Sequence, residues 1–344
     1  MQLEARIATV RMAETFVISR GASDEAEVVY VELRHDGVSG FGEAAPIERY
    51  DESAESARAF AVEAGELLSG MDPFAFEEIE ARLRERPGEQ AAKAAIDAAL
   101  HDLCGKLVGL PVWRLLGLRR QGPPTSWTIW LGDPADMARR AEKVRGRFKR
   151  LKLKLGAGDG RDVERVRAVR EVSDVPLQVD VNEAWSLDEA LEALPQLAEL
   201  GVQYCEQPLR AGDPDGPELK RRSPLPIYVD EDCHTLDDVA ACAERAHGLT
   251  VKLAKSGGIR EAVRMAHAGR ALGLGLMLGC MNESGLAVAA GAACASLFDH
   301  VDLDGNLLLV EDPWPGVELV DGVQLPADAP GLGVRHANES VTHV

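Results

Sequence analysis

Five charged residues, Lys154, Asp180, Glu206, Asp230 and Lys252, follow one another at intervals of 26, 26, 24 and 22 residues. Each falls toward the end of an apolar run, and Asp302 and Asp304 close a later one. Taken singly, each carboxylate reads as a helix N-cap or a loop-end residue. The alternation in Leu151-Lys152-Leu153-Lys154-Leu155 reads, by itself, as a half-exposed strand with solvated lysines. The common phase changes that reading. Three carboxylates gathered in one place repel one another and need a cation. A set of oxygen ligands suits a hard divalent ion, and Mg2+ is the natural choice. Lysines beside such an ion are driven toward neutrality by its charge and by desolvation. A neutral lysine is a general base, and its protonated counterpart is a general acid. With a substrate carboxylate on the metal, the α-carbon would lie between Lys154 and Lys252, and the metal would stabilise the enediolate left by loss of the α-proton. One lysine would take a proton and the other return one to the opposite face, a 1,1-proton transfer that yields an epimer.

That chemistry requires elements that bring the run ends together. From Thr125 onward, short apolar runs alternate with helical patterns. The runs are 125–131, 150–155, 176–182, 202–208, 226–232, 248–255, 275–281 and 300–305, and helical periodicity occupies 161–172, 187–200, 236–245 and 259–272. Eight strands with seven intervening helices point to a (β/α)7β modified TIM barrel over residues 116–309, in which chemistry gathers at the C-terminal strand ends. Residues 1–115 have another texture. Strand patterns fill 3–47, including the β-branched 26–33 and the turn His35-Asp36-Gly37, and helical patterns fill 52–107. Strands followed by helices suggest an α+β capping domain, completed by the turn-rich tail 310–344.

Composition excludes several partners. A hydrophobic content of 46% permits a large core, and a formal net charge of −19 argues against nucleic acid and against an anionic membrane. The six cysteines are dispersed without a C-x-x-C pair, so neither a disulfide framework nor a zinc site is expected. The N-terminus lacks a basic region followed by an apolar one, and no apolar stretch reaches the ~18 residues of a membrane span. A reduced, cytoplasmic protein is expected.

These residues resemble the enolase superfamily, in its muconate-lactonizing-enzyme-like subgroup. The resemblance covers nearly the whole chain. It is carried by Lys152-Leu153-Lys154, Asp180-Val181-Asn182-Glu183-Ala184-Trp185, Glu206-Gln207-Pro208, Asp230-Glu231 and Lys252-Leu253-Ala254-Lys255-Ser256-Gly257-Gly258. It implies Mg2+, one per subunit, on Asp180, Glu206 and Asp230, and Lys154 and Lys252 as the acid/base pair. Lys152 would hold the substrate carboxylate and spread the enediolate charge. Lys255 is set aside, because the pattern gives the catalytic position to Lys252. A narrower resemblance lies in Asp302-Leu303-Asp304-Gly305, which is similar to the D-x-D of dipeptide epimerases of the L-Ala-D/L-Glu epimerase group. Two carboxylates two residues apart on a strand point to one side and could clamp an ammonium, which the free amino terminus of a dipeptide supplies. The stretches 16–21 and 42–50 resemble that group's capping loops. They imply that Arg20 reaches a distal side-chain carboxylate, and Thr128 and Cys280 match substrate-lining positions. Asp232 departs from the group's usual serine or threonine and would add negative charge near the metal. The expected substrate is a small-molecule L,L-dipeptide such as L-Ala-L-Glu, and the resemblance carries an expectation of homo-oligomers. Other reactions of the subgroup use the same frame: N-acylamino acid racemisation, o-succinylbenzoate synthesis and muconate cycloisomerisation. Their substrates lack a free ammonium and leave Asp302 and Asp304 unexplained. A non-catalytic metal-binding scaffold would leave the lysines unexplained. The mandelate racemase type needs a histidine in 275–281, and there is none.

Overall fold

The computed structural model describes residues 1–338, so the last part of the expected tail, 339–344, lies outside the described residues. The N-terminal meander is present as an antiparallel sheet of β1 (Gln2–Ile18), β2 (Gly21–His35) and β3 (Val38–Ala44), in that order. Asp36 and Gly37 turn between β2 and β3 with φ of 48° and 77°, a left-handed pair whose twist suits the flanking strands. Three helices follow: α1 (Ala54–Leu68), α2 (Phe76–Arg84) and α3 (Gln90–Val108). Ser53 starts α1 by exchanging hydrogen bonds with Ser56. The buried α3 lies so close to β3 that a Cβ on Gly40 or Gly42 would collide with the carbonyls of Ala99 and Ala95. Small residues on both surfaces therefore let α3 pack directly on the sheet of the cap.

After a short helix, α4 (Val112–Leu115), the barrel begins. Its elements are β4 (Trp127–Ile129), α5 (Pro134–Lys143), β5 (Leu151–Lys154), α6 (Asp162–Val172), β6 (Leu177–Asp180), α7 (Leu187–Glu199), β7 (Val202–Glu206) and α8 (Gly216–Arg222). They continue with β8 (Ile227–Val229), α9 (Val239–Arg245), β9 (Gly248–Lys252), α10 (Leu253–Ser256), α11 (Ile259–Ala271), β10 (Gly275–Gly279), α12 (Gly285–Cys294) and β11 (His300–Asp302). The eight strands stand side by side in chain order, all parallel. The first and last meet through a parallel bridge between Thr125 and Val301, where Ser126 N donates to Val301 O at 2.9 Å. All eight expected strands are there, each shorter than its apolar run. Residues 253–255 depart from expectation: the strand stops at Lys252 and the chain turns directly into α10. Periodicity cannot separate strand from helix in so short an apolar run.

The leucines of β5 pack outward against α6, with Leu151, Leu153, Val166 and Val169 in one buried cluster. That leaves Lys152 and Lys154 facing inward. Below them the barrel is plugged by Tyr204, Tyr228 and Met277, with the two tyrosine rings 4.4 Å apart. Gly248 and Gly275 make room for Tyr228, since a Cβ at either would strike its ring. The tail, with its hairpin β12 (Glu318–Val320) and β13 (Val323–Leu325), returns to the cap. Leu332 N donates to Asp102 on α3 at 2.7 Å, and Trp314 lies 5.5 Å from Tyr30 of β2. Among the described residues no helix is long and apolar enough to cross a membrane.

Candidate active site

Strand register assembles the site. Lys154, Asp180 and Glu206 are register partners across β5, β6 and β7, and Lys252, Gly279 and Asp302 are partners across β9, β10 and β11. The lysines are buried among carboxylates. Lys152 Nζ stands 2.8 Å from Asp302 Oδ2, 2.8 Å from Glu206 Oε2 and 3.2 Å from Asp180 Oδ2. Lys154 Nζ donates to Asp180 Oδ2 at 2.6 Å and to Asn182 Oδ1 at 3.3 Å. Lys252 Nζ lies 2.8 Å from Asp230 Oδ2. Burial opposes the charged forms of Lys152 and Lys252 most strongly, but the surrounding acids together raise both pKa values: Asp302, Glu206 and Asp180 around the first, and Asp230 with smaller help from Tyr50 and Glu206 around the second.

Among the described residues, no three acidic, histidine or cysteine side chains stand close enough as they are to hold a metal ion. The expected ligands are paired with lysines: Asp180 with Lys154 and Lys152, Glu206 with Lys152, and Asp230 with Lys252 and Lys255. The donor set nevertheless fits a hard divalent cation. All three carboxylates are buried, at 0%, 0% and 1% exposure; Glu206 Oε1 has no hydrogen-bond partner, and Glu206 Oε2 and Asp230 Oδ2 each meet only a lysine ammonium, at 2.8 Å. Burial pushes the Glu206 carboxyl up to about 7; Lys152 opposes this, and repulsion from Asp180 and Asp230 adds to it. Burial also works against ionised Asp180 and Asp230, but Lys154 and Lys252 hold them well below the usual carboxylate range. Glu206 is thus the member least compensated by protein alone.

A cavity of about 620 Å³ lies over these groups, lined by Lys152, Lys154, Lys252, Asp302 and Asp304 from the barrel and by loops of the cap. Thr128 and Cys280 line it as well. Asp304 does not sit as the D-x-D alternation implied. The last strand ends at Asp302, and Asp304 already starts a 3-10 turn, with φ of −105° and ψ of 2°. Both side chains still reach the cavity. That of Asp304 is not spent capping the turn; its Oδ2 accepts from Thr128 N at 2.7 Å. Burial raises the Asp304 carboxyl to about 7, with Asp302 adding to the shift. Asp302 Oδ1 has no hydrogen-bond partner.

Arg20 lines the cavity, but its Nη1 donates to Glu231 Oε1 at 2.7 Å and to Glu183 Oε2 at 3.2 Å. Asp232 turns away from the metal-ligand candidates. It accepts from Gln207 Nε2 and Gly212 N, both at 2.8 Å, and pairs with Arg245. Several contributors went unread in the sequence. Lys255, set aside there, is 2% exposed and donates to Asp230 Oδ1 at 2.6 Å from the first turn after β9. Gln207, at a left-handed φ of 35°, accepts from Asp230 N at 2.8 Å. Tyr50 of the cap lines the cavity and packs against His234, ring centroids 4.5 Å apart. Lys255, Gln207 and Tyr50 lie within the stretches that carry the resemblance, which assigned them no role.

Known proteins match this chain over nearly its whole length. Residues 2–117 match the family described as Mandelate racemase / muconate lactonizing enzyme, N-terminal domain, and residues 136–340 match Enolase C-terminal domain-like. The chain is 36% identical over 329 residues to the L-Ala-D/L-Glu epimerase of Bacteroides thetaiotaomicron, covering 94% of this chain and 85% of that protein. It is 30% identical, with a TM-score of 0.93, to the dipeptide epimerase from Enterococcus faecalis V583 complexed with Mg and L-Leu-L-Tyr, covering 97% and 99% of the two chains. It is also 30% identical, with a TM-score of 0.92, to the N-succinyl Arg/Lys racemase from Bacillus cereus, covering 98% and 96%.

Proposed function

Since this chain belongs to the enolase superfamily, in its mandelate racemase / muconate lactonizing enzyme family, we propose that it is an epimerase that inverts the α-carbon of the C-terminal residue of an L,L-dipeptide. The supporting observation is the layout of one cavity: three lysines among the metal-ligand candidates, and a buried acid pair, Asp302 at the end of the last strand and Asp304 just after it. Lys152 receives the substrate carboxylate and shares the negative charge that develops on it. Lys154 on β5 and Lys252 on β9 address the α-carbon from opposite sides, one accepting its proton and the other returning one. Asp302 and Asp304 take the free ammonium terminus, which fixes the α-carbon between the lysines. Asp180, Glu206 and Asp230 would hold Mg2+, which when bound supplies the positive charge that acidifies the α-carbon. On the same reading the chain divides into a cap of residues 1–115 with the tail from 310, and a catalytic barrel of 116–309.

An N-acylated substrate would present no cation to Asp302 and Asp304, so the acid pair separates the two substrate classes. Asp304→Asn is expected to lower kcat/KM for a free L,L-dipeptide about 10- to 100-fold, the range for losing a hydrogen bond to a charged group. Turnover of the matching N-acetyl amino acid should not fall with it. Parallel assays of the two substrates check this, and undiminished dipeptide turnover in Asp304→Asn would favour the N-acyl reading.

A further inference from the structure

The two cap loops over the cavity carry arginines that are already engaged by the barrel. Arg49, on the 3-10 turn Glu48–Tyr50, donates from Nε and Nη2 to the two carboxylate oxygens of Glu183, each at 2.8 Å. Arg20, between β1 and β2, shares its Nη1 between Glu183 and Glu231. The side chains of Glu183 and Glu231 are 10% and 1% exposed. Two guanidiniums and two carboxylates make a neutral group. Glu183 is also held from the barrel side: its N donates to Gln207 O at 2.8 Å, and its Oε1 accepts from Ala211 N at 2.9 Å. Its φ of 71° is a conformation that non-glycine residues rarely adopt. The loop after Asp180 is shaped to present this carboxylate to the cap.

Among the described residues, no other lysine or arginine of the cap lines the cavity. The remaining charged cap residues there, Glu25, Glu27 and Glu48, have no ion pair among the described residues, and Phe16, Ile18 and Ile47 add apolar wall. With the α-carbon between Lys154 and Lys252 and the ammonium end at Asp302 and Asp304, the side chain of the inverted residue projects toward these loops. An acidic side chain would enter without a free counter-cation and beside unpaired carboxylates, whereas an apolar one gains by burial.

We infer that Glu183 is a specificity-determining residue. By holding Arg49 and Arg20 it turns the chamber toward uncharged, apolar side chains at the inverted position and against acidic ones. This rests on the dipeptide reading above. The experiment follows α-deuterium exchange of L-Ala-L-Leu and L-Ala-L-Glu by the Mg2+-loaded protein, its Glu183→Gln variant and its Arg20→Gln variant. In the wild type, kcat/KM for L-Ala-L-Leu is expected to exceed that for L-Ala-L-Glu by at least about tenfold. Glu183→Gln releases positive charge and should narrow that ratio at least about tenfold, mainly through KM for L-Ala-L-Glu. Arg20→Gln should leave L-Ala-L-Leu the preferred substrate. The proposal is overturned if the wild type favours L-Ala-L-Glu, if Arg20→Gln removes such a preference, or if a folded Glu183→Gln keeps the wild-type ratio. Exchange with neither dipeptide overturns the dipeptide reading and this proposal together, an outcome distinct from exchange with the wrong preference.

Discussion

Lys154→Ala and Lys252→Ala are each expected to lower epimerisation by about 10³-fold or more, beyond the middle of the range for losing a general acid or base. The larger figure follows because each lysine serves both directions of the reaction: the base for one epimer is the acid for the other. The variants should therefore fail differently. With Lys154 absent, the remaining lysine can still exchange the α-proton of the epimer that presents its hydrogen to β9. With Lys252 absent, only the other epimer should exchange. Neither substitution strips its carboxylate neighbour of cations, since Asp180 keeps Lys152 and Asp230 keeps Lys255, so the fold should persist. Incubating the L,L and L,D epimers separately in D2O with each variant and following α-deuterium by NMR checks both parts. Interconversion near the wild-type rate in either variant would show that the missing lysine is not part of the pair.

Glu206→Gln is expected to have opposite effects on stability and on activity. The Glu206 carboxyl is raised to about 7 in the folded protein, above the ordinary glutamate value. The folded state therefore binds more protons than the unfolded state between the two values. The metal-free protein should lose stability as pH rises through this window, from the ordinary glutamate range to about 7. An amide in place of this carboxyl removes that penalty, so at pH 8 the metal-free variant should be more stable than the wild type, by on the order of 2 kcal/mol. Lys152 keeps Asp180 and Asp302 as partners. The same change removes a ligand, so the rise in Tm on adding Mg2+ should shrink or vanish, and epimerisation should fall by at least about 10²-fold. Thermal unfolding with EDTA and with Mg2+ reads both effects. A less stable metal-free variant that keeps the full Mg2+ response would contradict the assignment of Glu206.

The legible parts of the site lie where strand periodicity acts. Alternation along 151–155 sends leucines to the helices and lysines inward, and the register of β5 to β7 then aligns Lys154, Asp180 and Glu206. The barrel and cap were readable from the same alternation and from the change of texture near residue 125. What escaped the sequence depends on backbone turns and on distant partners. The expectation for Asp304 assumed a continuing strand, and the chain turns one residue after Asp302. Arg20 carries no sign that Glu183 and Glu231, more than 160 residues away, engage it. Lys255 reaches Asp230 because α10 begins immediately after Lys252. Asp232 looked like added charge at the metal, and Gln207, Gly212 and Arg245 draw it elsewhere.

The most direct measurement of the central claim is α-deuterium incorporation into a mixed panel of L,L-dipeptides incubated with the wild-type protein and Mg2+ in D2O. Deuterium should enter at the α-carbon of the C-terminal residue alone, together with formation of the L,D epimer, and both should stop on adding EDTA. Deuterium at the N-terminal residue's α-carbon, or none across the whole panel, would contradict a two-lysine proton transfer on a dipeptide anchored by Asp302 and Asp304.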